Sequence, residues 1–398
     1  MAASDPEVLV LGAGIAGCAL AYHLTRRSIS VTVYDPATPA AGASGRAAGV
    51  VTEQLWDRWD VEVTRESNRE YAELAHRWDP AAYQANGFVR FTARSNVAEA
   101  VDEARERLRS WGVDVEEASP EELSRWVPEG RYNDVLSTLV SRHDACVTPS
   151  SITTIYAEGA REAGAVFDFG LPMESLRYVD GRYELTRSTG ILRARKLVVA
   201  AGAWSKQILV DLDHPLPLVP YRTQAALLRP TRRPAEPFPT VHDLDTDVYV
   251  RPESNGRILA GDGTEDREAD PKRFVTGGDE EFLAHIAESL AARFPGWSES
   301  EMVSSWAGVC TATPDRHPLI GPVPGAEGLY VLSGFNGFGV MRAGGASRRL
   351  ADLLASGDGD AKARAALGPA WAPRFEGRPA PFSPRPGFTL EGGDRPRF

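Results

Sequence analysis

One stretch constrains this chain more than any other. An apolar run, Val8-Leu9-Val10-Leu11, passes straight into Gly12-Ala13-Gly14-Ile15-Ala16-Gly17. Cys18 to Arg27 then reads as a helix, and Ile29 to Tyr34 as a strand that ends at Asp35. A short unbroken apolar run is the pattern of a parallel strand buried on both faces. The glycines carry separate tasks: Gly12 permits the tight turn, Gly14 lets a pyrophosphate approach the backbone, and Gly17 lets the helix pack against the strand. The helix N-terminus offers unpaired N–H groups and a partial positive charge to phosphates. Asp35 lies 21 residues after Gly14, where a carboxylate accepts from a ribose hydroxyl pair. This constellation predicts a dinucleotide site but does not distinguish FAD from NAD.

The rest of the chain alternates helices and strands. Helical patterns cover 53–77, 99–111, 120–126, 151–164, 282–294 and 343–354. Strand patterns cover 165–167, 183–186, 190–193, 197–200, 223–228, 248–250, 257–260 and 328–332. The prediction is an α/β protein. With 398 residues there is material for two domains. The net charge of −11 argues against a polyanion partner. Three cysteines are too few for a disulfide framework, so a reducing, cytoplasmic setting is expected. The N-terminus lacks the basic segment of a signal peptide, and no apolar run is long enough for a membrane span. No metal-ligand cluster or GxSxG motif is legible, so no metal is expected.

Four further segments, in this order after GAGIAG, carry a resemblance. They are Gly42 to Gly49 (GASGRAAG), Lys196 to Trp204 (KLVVAAGAW), Trp306 to Gly321 (WAGVCTATPDRHPLIG) and Gly334 to Met341 (GFNGFGVM). Together they resemble the D-amino-acid oxidase superfamily, closest to the sarcosine oxidase, glycine oxidase and dimethylglycine dehydrogenase group. The resemblance implies a discontinuous, Rossmann-like FAD-binding domain over 1–82, 143–213 and 301–368. It implies a smaller α+β substrate domain on a mixed or antiparallel sheet over 83–142 and 214–300. Residues 369–398 form a Pro/Gly/Arg-rich tail. The implied cofactor contacts begin with Gly12, Gly14, Ile15, Ala16, Gly17 and Asp35. Ser44, Arg46, Ala47, Ala48 and Gly49 follow, then Val166, Gly202 and Trp204. The last set is Gly334, Asn336, Gly337, Phe338, Gly339, Val340 and Met341, whose backbone N–H groups approach the pyrimidine edge of the flavin. Arg46 either faces the flavin or pairs with an acid.

The resemblance further implies oxidation of a C–H bond beside an amine nitrogen, giving an imine, with oxygen or another carrier taking the electrons. Oxidation of a 2-hydroxy acid or D-amino acid, and a flavin-bound assembly role without turnover, are the alternatives. Tyr249 matches a tyrosine that faces substrate. Arg251 shares its strand face and either clamps a carboxylate or serves structure. Cys310 stands where glycine-oxidase-like members carry a carboxylate-binding arginine, and Met341 where sarcosine oxidases carry a lysine. The flavin-linking cysteine of monomeric sarcosine oxidases is matched by Gly308, so non-covalent FAD is expected. His317 either sits beside the flavin or stabilises a turn, and Asp315 is expected to cap that turn. Lysines occur only at 196, 206, 272 and 362, and the position of the oxygen-activating lysine of sarcosine oxidases falls near Leu259.

Overall fold

The computed structural model describes residues 5–234, 237–263 and 268–376. Its centre is a six-stranded sheet. The spatial order is Leu319–Pro322, Leu329–Ser333, Lys196–Val199, Val8–Leu11, Val31–Asp35 and Val166–Phe169. All neighbours are parallel except the first pair. The first strand shows why the sequence runs apolar without a break. Val8 and Val10 pack with helices on one face, while Leu9 and Leu11 pack on the other against a three-stranded meander, Ser175–Val179, Arg182–Arg187 and Gly190–Ala194. Alternation therefore buries both sets.

Four helices cover the first face: Ile15–Thr25, Arg58–Trp78, Pro149–Glu162 and Gly339–Ser356. The helix after the glycine turn has buried residues on nearly every side, from Ile15 through Leu24. A helix that is apolar all round belongs in an interior, and this one lies between the sheet and its neighbouring helices. Gly17 makes that possible, because a Cβ there would lie 1.9 Å from the Gly12 carbonyl oxygen. Gly12 itself adopts φ +109°, and its own Cβ would meet the Ala200 carbonyl at 2.5 Å.

A second sheet has seven strands, in the order Glu301–Ala312, Val219–Arg229, Arg257–Gly261, Val248–Glu253, Thr240–Asp243, Phe88–Thr92 and Ser137–Ser141. It is mixed: only Thr240–Asp243 and Phe88–Thr92 run parallel. One face buries Val89, Phe91, Val241, Val248, Val250, Ile258 and Ala260 against the Glu280–Arg293 helix, Phe294 and Trp297. The alternate residues face the other way, toward the first sheet.

Three observations add to the expected layout. The strand Glu301–Ala312, in the segment that the resemblance assigns to FAD binding, pairs within the seven-stranded sheet. The meander gains Ser175–Val179, which pairs with Arg182–Arg187. The tail is anchored where it begins: Ala370 and Ala372 are buried, and Arg374 grips Asp315. Residues 377–398 of that tail lie outside the described residues. Among the described residues, no helix is long and apolar enough to cross a membrane.

Candidate active site

A cavity of about 770 Å³ runs between the two sheets. That is toward the upper end of the range for small-molecule sites. One end is formed by Gly12, Gly14, Asp35 and Ala37; the middle by Ser44 to Gly49 and Gly334 to Met341; the far end by Phe88, Arg90, His242, Tyr249 and Cys310.

The dinucleotide end is already organised. Asp35 accepts hydrogen bonds from the Ala13 N–H and the Ala37 N–H, each at 2.8 Å. The acid thus ties the glycine turn to the loop that follows its own strand, with further lone pairs left on its oxygens. Ser44 Oγ accepts from the Ile15 N–H at 2.9 Å, so the exposed start of the helix is met by a hydroxyl from the next loop. Gly14 stands beside it, and a Cβ there would lie 3.1 Å from Ser44 Oγ. The open space at Gly14 and the Ser44 hydroxyl, which still has its proton to donate, fit a diphosphate. Ile15, Ala16, Ala47 and Ala48 line the same wall. Gly17 does not reach the cavity and acts through packing. Val166 does not reach it either: it is 55% exposed on the edge strand. Met173, a few residues later, lines the cavity instead. Sequence reading missed it because an isolated methionine in an irregular segment between two strands carries no pattern.

In the middle, Gly202 and Trp204 line the wall after the Lys196–Val199 strand. Arg46 faces neither a carboxylate nor open solvent alone; it lines the cavity while donating to the Ala41 and Gly42 carbonyls of its own loop. Its own carbonyl accepts from Trp306 Nε1 at 2.8 Å, which fixes the loop to the second sheet. The second glycine turn is held by Asn336, in the left-handed region at φ 52° and almost fully buried. Its Oδ1 accepts from the Thr313 N–H, and its Nδ2 donates to Thr313 Oγ1 and the Gly334 carbonyl. Gly334, Gly337, Phe338, Gly339, Val340 and Met341 line the cavity at the start of the Gly339–Ser356 helix.

At the far end, one register row crosses four strands. Arg90 is paired with His242, His242 with Tyr249, and Tyr249 with Gly261. Residues in such a row share a face, and Arg90, His242 and Tyr249 all line the cavity. Gly261 leaves the space that Tyr249 fills: a Cβ there would lie 2.3 Å from the phenol oxygen. The rings of His242 and Tyr249 meet edge to face with centroids 6.3 Å apart, and Phe88 lies 6.3 Å from His242 on the other side. Burial holds the Tyr249 phenol well above its ordinary pKa, so it stays protonated. Cys310 faces Tyr221 across the Glu301–Ala312 strand pair and lines the cavity.

Two expected residues lie elsewhere. Arg251 shares the Tyr249 face but sits beyond the cavity, donating to the Pro252 carbonyl and to Glu253 at 2.8 Å. His317 is part of a separate buried cluster: its Nδ1 lies 3.6 Å from Asp60, and Arg342 lies 3.1 Å from the same carboxylate. Its backbone N–H donates to Asp315, whose carboxylate caps the turn and pairs with Arg374. Asp57, Asp60 and His317 are close enough to share a cation, a grouping invisible in the sequence, but the Arg342 guanidinium already supplies positive charge there. Arg90, His242 and Lys272 were not anticipated as lining residues. Arg90 had one signal: a lone arginine amid an apolar strand, Phe88-Val89-Arg90-Phe91. Leu259 is buried on its strand and does not line the cavity, whereas Lys272 does so from the loop before the last long helix of the second sheet.

Comparison with known proteins gives a family model described as FAD dependent oxidoreductase, matching residues 7–353. The chain is similar to the mitochondrial dimethylglycine dehydrogenase of Homo sapiens, 26% identical over 375 residues. That match takes in 88% of this chain but 43% of that protein, so the chain spans less than half of its relative's length. Among solved structures, it is similar to an L-proline dehydrogenase from P. horikoshii, with a TM-score of 0.81, 23% identity, and coverage of 88% and 93% of the two chains. It is also similar to a glycine oxidase from Geobacillus kaustophilus, with a TM-score of 0.80, 20% identity, and coverage of 93% and 99%.

Proposed function

This chain belongs to the family of FAD-dependent oxidoreductases, and from that membership we propose that it oxidises a carbon–nitrogen bond of a small amine or amino acid. The observation that carries the reading is the continuity of the cavity. Its dinucleotide end, at Gly12, Gly14 and Asp35, opens without a partition into an end walled by Phe88, His242 and Tyr249. The same reading assigns the first sheet and its helices to holding FAD, and the seven-stranded sheet to covering it.

When bound, FAD supplies a two-electron acceptor: the C–H bond beside the amine nitrogen gives up a hydride equivalent, and the resulting imine is hydrolysed by water. Gly12, Gly14 and Ser44 would hold the diphosphate, Asp35 the ribose, and the turn from Gly334 to Gly339 the pyrimidine edge. The chain's own work is to bind and orient. Tyr249 presents a phenol that keeps its proton, so it orients the substrate as a hydrogen-bond partner and does not act as a base. Phe88 and the ring of His242 exclude water around the reacting carbon. The amine must be neutral to react, and a cavity with apolar walls favours that form. The dimethylglycine dehydrogenase and glycine oxidase relatives support an N-alkyl or small amino acid as the class. We assign the chain to a reducing cytoplasmic setting, because three cysteines are too few for a disulfide framework.

The test is anaerobic. FAD-loaded protein is mixed with a panel of secondary and tertiary amines, small amino acids and 2-hydroxy acids, and the flavin absorbance is followed. Bleaching by an amine or amino acid is expected. Bleaching by 2-hydroxy acids alone, or by nothing in the panel, would defeat the reading.

A further inference from the structure

We propose that Ser67 and Tyr71, on the Arg58–Trp78 helix, are positioning residues for the cofactor: their hydroxyls enter the first rungs of the Gly339–Ser356 helix and aim its Met341 N–H at the pyrimidine edge of the flavin. Neither residue lines the cavity. The inference rests on the placing of that edge at the second glycine turn and does not depend on which substrate is oxidised.

The seam between these two helices is polar. Asp60, Ser67 and Tyr71 lie seven and then four residues apart, so they share one helix face, and each is 0% exposed. Each bonds to the start of the facing helix. Asp60 pairs with Arg342 at 3.1 Å. Tyr71 Oη donates to the Val340 carbonyl at 2.6 Å, the acceptor that an unbroken helix keeps for the Gly344 N–H. Ser67 Oγ accepts from the Gly345 N–H at 2.9 Å, the donor that such a helix directs to Met341, and itself donates to the Val63 carbonyl at 2.9 Å. Side chains that enter the ladder in this way redirect a helix. Burying polar groups is costly, and apolar residues of similar volume would hold two helices together as firmly.

The close approach is written into the facing helix. A Cβ on Gly345 would lie 2.5 Å from the Val63 carbonyl oxygen, and one on Gly344 would lie 3.2 Å from Ser67 Cα. Two adjacent glycines inside a helix cost stability. Here they open the notch through which the hydroxyls reach the backbone.

The consequence falls on the peptide that joins Val340 to Met341. In a trans peptide the C=O and the N–H point in opposite directions. A carbonyl held by Tyr71 therefore fixes the direction of the Met341 N–H. That N–H belongs to the first helical turn, where the helix supplies no acceptor, and Met341 lines the cavity. The Arg342 N–H, one residue on, bonds back to the Phe338 carbonyl at 3.2 Å. A hydrogen bond accepted by a carbonyl also polarises its own peptide and strengthens the N–H as a donor. The pyrimidine edge becomes negative on reduction, so such a donor favours reduced flavin over oxidised flavin. A residue that only packed would favour both equally.

The experiment measures redox poise and affinity, not turnover. FAD-loaded protein is equilibrated without air against a reference dye and a chemical reductant, and the ratio of oxidised to reduced flavin is read from the visible spectrum. Titration of the apoprotein with FAD gives Kd beside it. Tyr71→Phe removes one hydroxyl and keeps the ring. We expect it to shift the flavin ratio toward the oxidised form by about threefold to tenfold, the factor for one lost hydrogen bond, and to weaken binding of oxidised FAD by less. Ser67→Ala should shift the ratio the same way, and it decides the matter if Tyr71→Phe does not retain FAD. Leu74→Ala, which opens a cavity on the same helix, should lower the urea midpoint and leave the ratio as it was. A ratio unchanged in both hydroxyl variants, with only the urea midpoint lowered, would overturn the proposal. An equal shift in Leu74→Ala would overturn it too. The expected shift in a protein whose flavin no amine bleaches would sink the oxidation reading alone.

Discussion

At the scale of single residues, the site works by subtraction as much as by placement. Gly261 is missing a side chain so that Tyr249 can stand upright over the cavity. Gly261→Ala should therefore displace the phenol without touching the dinucleotide end. We expect kcat to fall tenfold or more while the flavin stays bound, measured by steady-state turnover beside the visible spectrum; unchanged turnover would show that Tyr249's position is not needed. Gly17→Ala makes the opposite case. Its Cβ would meet the Gly12 carbonyl at 1.9 Å, and rigid backbone cannot yield as a side chain does. A loss of about 1–3 kcal/mol in denaturant unfolding is expected from such overpacking, together with weaker FAD retention.

At the scale of elements, Asp144 reinforces the junction at which Val50–Val51 pairs with Ala145–Val147. It lies in the turn between Ser137–Ser141 and Ala145–Val147. Its carboxyl accepts from Thr52 Oγ1 at 2.5 Å and from the Glu53 N–H at 3.0 Å, and Thr52 lines the cavity. Burial pushes its pKa up to about 7, well above that of an unfolded aspartate. The folded protein therefore keeps a proton that the unfolded chain has released between about pH 4 and 7. Stability linked to this group is full below that window, falls as pH rises through it by up to about 1.4 kcal/mol per unit, and is lost above it. Asp144→Asn should flatten that slope, seen as urea midpoints at pH 5 and pH 8 that lie closer together than in the wild type. A slope equal to the wild type's would contradict the assignment.

Legibility at this scale follows the same physics. The strands of the first sheet, Val8–Leu11, Lys196–Val199 and Leu329–Ser333, read clearly because both faces are apolar. Phe88–Thr92, Thr240–Asp243 and Ser137–Ser141 escaped, because their cavity-facing or inward residues include Arg90, His242 and Ser141, which break the apolar signal. The fingerprint residues up to Asp35 and the second glycine turn were visible as motifs. The row of Arg90, His242 and Tyr249 was not, since it is created by strand register between segments about 150 residues apart in the chain. Arg251 misled for a related reason: strand alternation gives the face but not where the cavity ends.

At the scale of the whole molecule, the two sheets touch along a cavity whose walls come from both, so the cofactor is part of what joins them. Loops such as that of Arg46, bonded through its carbonyl to Trp306, also cross the gap. A ligand bound only by the folded chain adds RT ln(1 + [L]/Kd), about 4 kcal/mol at a thousandfold excess over Kd. Removing FAD should accordingly lower Tm by several degrees, and adding it back should restore the loss in a concentration-dependent way, followed by circular dichroism. We also propose that the two layers part near residue 313 rather than 301, because the Glu301–Ala312 strand is bonded throughout to Val219–Arg229. The central claim, that this cavity is built around a flavin, is tested most directly by the absorption spectrum of the purified protein before and after incubation with FAD and removal of the excess. A yellow protein with a band near ~450 nm, the signature of an oxidised flavin, is expected at one equivalent per chain. A protein that is colourless as isolated and stays colourless after incubation would contradict it.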